Sequence, residues 1–136
     1  MRDTNLIFHD GTTFTATITP TSTTRSGGSA VLDLGKTAEN GVWIQLCNIA
    51  AITGSGSPTV DAKIQFSDSA TFASGIEDGP AFPQITTSTA AGYTRELLAQ
   101  SKRRYARVLL TKGGTTLSTT SMQIHVVSGP NPASVS

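Results

Sequence analysis

Few residues of this chain combine the side-chain types and the spacing that catalysis or metal binding needs. His9 and His125 are the only histidines among 136 residues, and Cys47 is the only cysteine. A zinc site takes three or four nitrogen or sulfur ligands, and no Cys/His cluster in the sequence supplies them. We therefore predict no metal site and expect both histidines at surface or strand-edge positions.

The serines could be combined with a histidine and one aspartate into a catalytic triad, with Asp33, Asp61, Asp68 or Asp78 as the acid. An α/β-hydrolase would place its serine in a Gly-x-Ser-x-Gly turn between a strand and a helix, and the sequence has no such turn. Residues 54–57, Gly-Ser-Gly-Ser, superficially suggest a phosphate-binding loop, but no Lys-Ser/Thr pair follows them. We therefore expect no catalytic residues, no cofactor and no enzymatic activity.

Acidic residues gather at Asp68, Glu77 and Asp78. Calcium takes about six to eight oxygen ligands, and a glycosidase needs a pair of facing carboxylates. Loops around these three residues could complete a calcium site only with help from the backbone. We interpret them as solvated loop carboxylates.

Basic residues form one run, Lys102-Arg103-Arg104, directly before Tyr105. A basic run beside an aromatic residue can bind nucleic acid. The formal net charge is only +1, however, and the other cations are scattered, whereas a nucleic-acid surface needs a concentrated positive field. We predict no nucleic-acid partner and interpret the run as a solvated corner that, if functional, pairs with acidic groups on a protein partner.

The single cysteine and the distribution of apolar residues indicate where the chain folds. One cysteine forms no intramolecular disulfide, so the chain can fold in a reducing cytoplasm. Residues 1–10 lack the apolar core of a signal peptide, and no run approaches the ~18 apolar residues of a membrane span. We expect no membrane partner. Within the apolar stretch 42–49 we predict that Cys47 is buried and that Trp43 packs in the core or between sheets.

Apolar and polar residues alternate with a period of two along most of the chain, which is typical of strands with one face in water. In 60–67 every second residue is apolar, and 12–19 alternate in the same way after Asp10-Gly11, a dipeptide that favours a hairpin turn. Lys112-Gly113-Gly114 predicts a second hairpin turn. The predicted strands are 5–9, 12–19, 30–34, 42–49, 60–67, 84–86, 93–100, 105–111 and 121–127.

About eight strands at regular spacing, with no convincing helix, predict an all-β, single-domain two-sheet sandwich. An eight-stranded jelly roll is the favoured arrangement and an immunoglobulin-like sandwich is the competing one. We assign residues 1–128 to the sandwich domain. Residues 129–136, with Pro130 and Pro132, form an extended C-terminal tail in this prediction.

Several segments follow one another in a pattern that extends over about residues 5–127. They are an Asp-Leu-Gly turn in 31–35, the hydrophobic strand 42–49, the segment 60–68, Phe82-Pro83, and an Arg-Tyr-x-Arg-Val strand in 104–110 before a final strand. This succession resembles the small jelly-roll decoration, or cement, proteins of tailed-bacteriophage capsids.

The resemblance implies a structural protein on the outer surface of the virion, made in the host bacterial cytoplasm. Such a protein is usually a homotrimer and clamps neighbouring subunits of the major capsid protein. Exposed arms and loops would add contact area, so we expect contacts with the capsid or with neighbouring copies from 1–9, 21–29 and the tail. The candidate partner-binding residues are Arg2, Asn5, Phe8, Arg25, Lys102, Arg103, Arg104 and Asn131.

A carbohydrate-binding jelly roll is the alternative. Residues 67–72, followed by 104–108, are similar to discoidin-like modules, in which a loop-end aromatic residue and polar groups hold a sugar. That resemblance implies a glycan partner on a virion or cell surface. Phe72 and Tyr93 would then be the aromatic residues that contact the glycan.

Overall fold

The computed structural model describes residues 7–21, 29–35, 39 and 41–127. These residues contain nine β-strands, and no helix among them is long and apolar enough to cross a bilayer. The strands are β1 (Ile7–Asp10), β2 (Val31–Asp33), β3 (Val42–Ser55), β4 (Thr59–Ser67), β5 (Glu77–Ala81), β6 (Ile85–Thr86), β7 (Tyr93–Ala99), β8 (Tyr105–Gly113) and β9 (Thr116–Val127).

The strands form two antiparallel sheets that pack face to face. Sheet A has the order β1-β9-β3-β7, and sheet B has the order β2-β8-β4-β5, with β6 added beside β4. The pairs β1–β9, β2–β8, β3–β7 and β4–β5 are nested within one another, as in one long hairpin rolled into two layers. This order is that of a jelly roll, so the predicted fold is confirmed and the immunoglobulin-like alternative is excluded.

The core lies between the sheets and is built by the inward-facing residues of each strand. Its fully buried members follow the period of two that the sequence shows, as in Val60, Ala62, Ile64 and Phe66 of β4. Ile44 of β3 belongs to the same cluster from the opposite sheet. Full burial of a large apolar side chain contributes about 1.5–3 kcal/mol, so these rows fix the register of both sheets.

The segment 12–19, predicted as a strand, is not one. Only Ile18 pairs with a strand: its backbone N and O lie 2.9 and 3.1 Å from the backbone O and N of Leu110 in β8. The Asp10-Gly11 turn does not form a hairpin either, because β1 pairs with β9. The carboxylate of Asp10 accepts hydrogen bonds from both the backbone N–H and the hydroxyl of Thr12, and the chain turns away there.

The turn after β8 also differs from its prediction. Lys112-Gly113-Gly114 leads from β8 in sheet B to β9 in sheet A, so it connects the two layers and does not close a hairpin. β5 forms in a stretch where no strand was predicted, and β9 begins at Thr116, well before the predicted start at Ser121. By contrast, β6 and β7 confirm the short strand near 84–86 and the strand chosen for the ambiguous segment 93–100.

Two residues of β3 face outward although the sequence predicts them buried. Val42 and Ile44 belong to the core, so Trp43 between them lies on the outer face of sheet A, where it is half-buried. Cys47 has the same parity and is also half-buried, with the Thr94 hydroxyl 4.0 Å from its sulfur. The apolar run of β3 therefore does not mean that both of its faces are covered.

Candidate functional site

Three connections meet at one end of the sandwich. The β2–β3 connection (described at 34–35, 39 and 41), the β4–β5 loop (68–76) and the β7–β8 loop (100–104) all join strand ends on the same side. We call this side the charged end. Between the loops lies an open cleft of about 630 Å³. Its lining residues are Glu39, Asp68, Glu77, Gln100, Ser101, Lys102 and Arg103.

Arg103 ties two of these loops together. Its Nη1 lies 3.2 Å from Oδ2 of Asp68, and its Nε lies 4.0 Å from Oε2 of Glu77. The hydroxyl of the buried Ser101 donates to Oε1 of Glu77 at 2.6 Å and accepts from the Arg103 backbone N–H at 3.0 Å. The guanidinium packs over Gly75, where an added Cβ would lie 3.0 Å from Nη1. Arg103 is therefore neutralised within the chain.

Arg104 is held in a second ion pair at the edge of the charged end. Its Nε and Nη2 donate to the two carboxylate oxygens of Asp33 at 2.9 and 2.8 Å, in the bidentate geometry that guanidinium and carboxylate favour. Hydrogen bonds from Arg104, and secondarily from the Gly35 N–H, lower the pKa of Asp33. The guanidinium also lies 5.2 Å from the ring centroid of Tyr105. This pair fastens the end of β2 to the start of β8.

Lys102 is the one residue of the basic run with no ion-pair or hydrogen-bond partner among the described residues. It is exposed and is one of the residues that line the cleft. Glu39 is exposed on the same cleft, and it too has no ion-pair or hydrogen-bond partner within the described part of the chain. A partner that docks on the charged end would thus meet Lys102 and Glu39 as its available charges.

The other candidate contact residues are not brought to this end. Phe8 is fully buried in the core, so its side chain cannot contact a partner of the folded chain. Its place on an edge strand does not expose it, because it faces the opposite sheet. The remaining four, Arg2, Asn5, Arg25 and Asn131, lie outside the described residues.

The three carboxylates of the sequence analysis do not converge. Glu77 and Asp78 are neighbours on β5 and therefore point to opposite faces of sheet B. Asp78 accepts from Nε2 of Gln65 at 2.9 Å and lies 3.4 Å from Nζ of Lys63, and these hydrogen bonds, the one from Gln65 foremost, lower its pKa. All three carboxylates are exposed, as expected, but only Asp68 lies in a loop, so the loop placement is wrong for Glu77 and Asp78.

The two histidines are buried, so the expected surface positions are wrong, while the expected strand-edge position holds for His9 alone. They lie on neighbouring strands, His9 on the edge strand β1 and His125 on β9. The His9 ring packs edge-on against Phe14, with 5.3 Å between centroids, and its Nδ1 lies 3.4 Å from the hydroxyl of Ser29. In the described part of the chain, no three His, Cys, Asp or Glu side chains are placed to hold a metal ion.

A buried arginine on the outer face of sheet B was not singled out by the sequence. Nε of Arg107 donates to Oε1 of Gln65 at 2.9 Å, and Nη1 donates to the carbonyl of Pro20 at 2.8 Å. The ring of Phe72 covers the guanidinium at 4.3 Å, and burial lowers the pKa of Arg107. Phe72 is buried here, outside the core cluster between the two sheets.

The sequence alone did not indicate that Arg107 would be buried. Arg107 stands at a polar position of the alternation in β8, where a long side chain normally extends into water. Only the folded β4–β5 loop brings an aromatic ring over it.

Comparison with known proteins leaves the function to be argued from the residues. No protein-family model matches this sequence, and no curated protein does. The fold, the charged end and the resemblance to capsid decoration proteins are therefore the basis for a functional proposal.

Proposed function

We propose that this chain is a structural virion protein, a decoration protein that binds the outer surface of a tailed-phage head and stabilises it by bridging major capsid subunits. The observation that carries the proposal is the charged end, where one arginine pairs with β2 and another with the β4–β5 loop, while Lys102 and Glu39 have no partner among the described residues. The jelly-roll fold agrees with the family that the sequence resembles. The homotrimer implied by that resemblance stays a prediction.

Ion pairs between the described residues of the charged end support a docking role. The Asp33–Arg104 pair joins β2 to β8, and the Arg103 contacts join the β4–β5 and β7–β8 loops. Side chains that are already paired within the chain lose little conformational entropy when a partner binds beside them. Two uncommitted charges of opposite sign on such a surface favour a partner with complementary charges and set the orientation of docking.

No observation favours the carbohydrate-binding alternative. Phe72 is buried over Arg107, and Tyr93 is half-buried against the core. A sugar-binding site usually offers an aromatic face to the ligand. The alternative stays an untested prediction.

Charge reversal at the charged end tests the proposal. Lys102→Glu should weaken binding to heads assembled from the major capsid protein of the same genome by about tenfold or more, which corresponds to about 1.4 kcal/mol. Lys112→Glu makes the same charge change at the opposite end of β8, where Nζ donates to the Thr115 carbonyl, and should leave the affinity unchanged. Co-sedimentation over a concentration series measures both. Equal affinity of the two variants would exclude the charged end as the docking surface, and no binding of the native chain would overturn the proposal.

A further inference from the structure

The cleft of the charged end has one cation and one anion that are not paired within the chain. Arg103 pairs with Asp68 and lies near Glu77, so these three charges largely offset one another. Lys102 and Glu39 line the same cleft, both are exposed, and neither has an ion-pair or hydrogen-bond partner among the described residues. The cleft therefore presents two charges of opposite sign to a partner, and not a surface of a single sign.

An exposed apolar side chain lies next to these charges. Ile76 is 46% exposed and belongs to the 68–76 loop. It stands between Gly75, over which the Arg103 guanidinium packs, and Glu77, which lines the cleft. The other two large apolar side chains that are exposed in the described part of the chain lie on strands. Specific interfaces combine an apolar centre with polar groups around it, and Ile76 supplies the apolar part at this end.

We infer that the partner segment which docks on the charged end is mixed in charge, with a carboxylate facing Lys102, a cation facing Glu39 and an apolar side chain against Ile76. The inference rests on the proposed function, which makes a major capsid subunit the partner. It adds the chemistry of the segment that is bound.

The desolvation of both charges favours this segment over one of a single sign. Lys102 and Glu39 lose water when a surface covers the cleft, and a charge without a partner is costly to bury. An acidic surface would pair with Lys102 but oppose Glu39, and a basic surface would do the reverse. Like charges brought together across an interface destabilise the complex. A segment that carries both signs offsets both losses.

Charge reversal at Glu39 tests the anionic half of the contact. In co-sedimentation with heads of the same major capsid protein, Glu39→Lys should bind about tenfold or more weakly than the native chain, because the partner's cation then meets a cation. Asp61→Lys is the matched control. It makes the same charge change on an exposed aspartate of β4, outside the charged end, and should leave the affinity unchanged.

Exchange of the two charges tests whether their positions matter. The double variant Lys102→Glu/Glu39→Lys keeps the formal net charge of +1, so its long-range attraction to the head is that of the native chain. It should nevertheless bind about tenfold or more weakly, since both substituted side chains then face like charges.

Truncation of Ile76 tests the apolar part of the contact. Ile76→Ser should weaken binding by about fivefold or more, because apolar surface that the partner covers is lost. Ile49→Ser is the control, since Ile49 is exposed to nearly the same extent, 47%, on β3 outside the loops of the charged end. It should leave the affinity unchanged.

The outcomes separate this inference from the proposed function. A Glu39→Lys variant that binds as tightly as the native chain, or more tightly, would overturn the mixed-charge contact. So would an exchange variant with native affinity, since binding would then follow net charge alone. Native affinity of Ile76→Ser would overturn the apolar contact. If Lys102→Glu still weakens binding in these cases, the proposed function stands without the inference, whereas a native chain that does not bind heads overturns both.

Discussion

Phe72 has a backbone φ of 54°, in the left-handed region that bulky residues rarely adopt. Its ring lies over the guanidinium of Arg107, and this contact fixes the β4–β5 loop on the outer face of sheet B. The same loop carries Asp68, the ion-pair partner of Arg103 in the cleft. The strained residue therefore positions one wall of the charged end.

Substitution of Phe72 separates ring burial from backbone strain. Phe72→Ala should lower the free energy of unfolding by about 3 kcal/mol, since the ring is lost from a buried site. Phe72→Gly should be more stable than Phe72→Ala by about 1 kcal/mol, because glycine adopts a positive φ without steric cost. Urea unfolding of the two variants measures the difference. An alanine variant as stable as the glycine variant would contradict the strain at this position.

Asp33 makes the stability of the fold depend on acidic pH. Its pKa in the folded chain lies below the value of about 3.9 that an unfolded chain has. The Asp33–Arg104 pair therefore stabilises the fold fully above that value and is lost as the pH falls through the folded-state pKa. The free energy of unfolding, measured from pH 7 to pH 2, should fall less steeply in acid for Asp33→Asn. Asp78 keeps part of the slope, since its pKa is lowered too.

The element that closes the opposite end of the sandwich is a pair of interlocked turns. Residues 56–58 join β3 to β4, and 114–115 join β8 to β9. An added Cβ on Gly54 would lie 2.0 Å from the carbonyl oxygen of Thr116, and one on Gly114 would lie 2.7 Å from the carbonyl oxygen of Ser57. Gly54 is needed where the ends of β3 and β9 pair closely within sheet A, and Gly114 is needed where the two connections approach each other. The resemblance of 54–57 to a phosphate loop has this structural cause.

Gly54→Ala should therefore destabilise the fold by about 3 kcal/mol or more, since the clash is with backbone that cannot rotate away. Gly35→Ala is the control, because Gly35 has a φ of 57° but no atom within 4 Å of an added Cβ. It should cost only the backbone strain, about 1 kcal/mol. Thermal and urea unfolding measure the loss of stability in both variants. Similar losses in the two variants would show that the turns do not interlock.

Strands whose apolar–polar alternation depends only on one buried and one solvent-facing side could be predicted from the sequence. β4 alternates because one face packs in the core and the other meets water, and the predicted strand 60–67 corresponds to Thr59–Ser67. Residues 12–19 alternate as well, but β9 is the strand that pairs with β1. Residues 12–19 therefore have no neighbouring strand with which to form a sheet. Pairings between distant strands, such as β1 with β9, leave no local signal. The fold class was therefore predictable, while the wrapping of Arg107 by the β4–β5 loop was not.

The same limit applies to the candidate site. The run Lys102-Arg103-Arg104 was identified from its charge, but its division into one available lysine and two paired arginines depends on Asp33, Asp68 and Glu77. Those partners are distant in sequence and come together only when the rolled hairpin closes. The prediction of Phe8 as a contact residue was wrong, because it is buried. The period of two does not say which face of a short edge strand is covered.

The whole molecule is a jelly roll with two unlike ends. One end has loops joined by ion pairs around an open cleft with two available charges. The opposite end has close glycine turns, where Lys112 donates to the carbonyl of Thr115. If the charged end is the docking end, as we propose, the difference between the two ends suits attachment to a surface in a single orientation.

Cryo-electron microscopy of heads assembled from the major capsid protein of the same genome, with and without the added chain, tests the central claim most directly. We expect the heads with the added chain to show additional density on their outer surface. The sandwich should fit this density with its 68–76 and 100–104 loops against the shell. Lys102 would then lie beside a capsid carboxylate. Heads without additional density, or a chain bound with its charged end turned away from the shell, would contradict it.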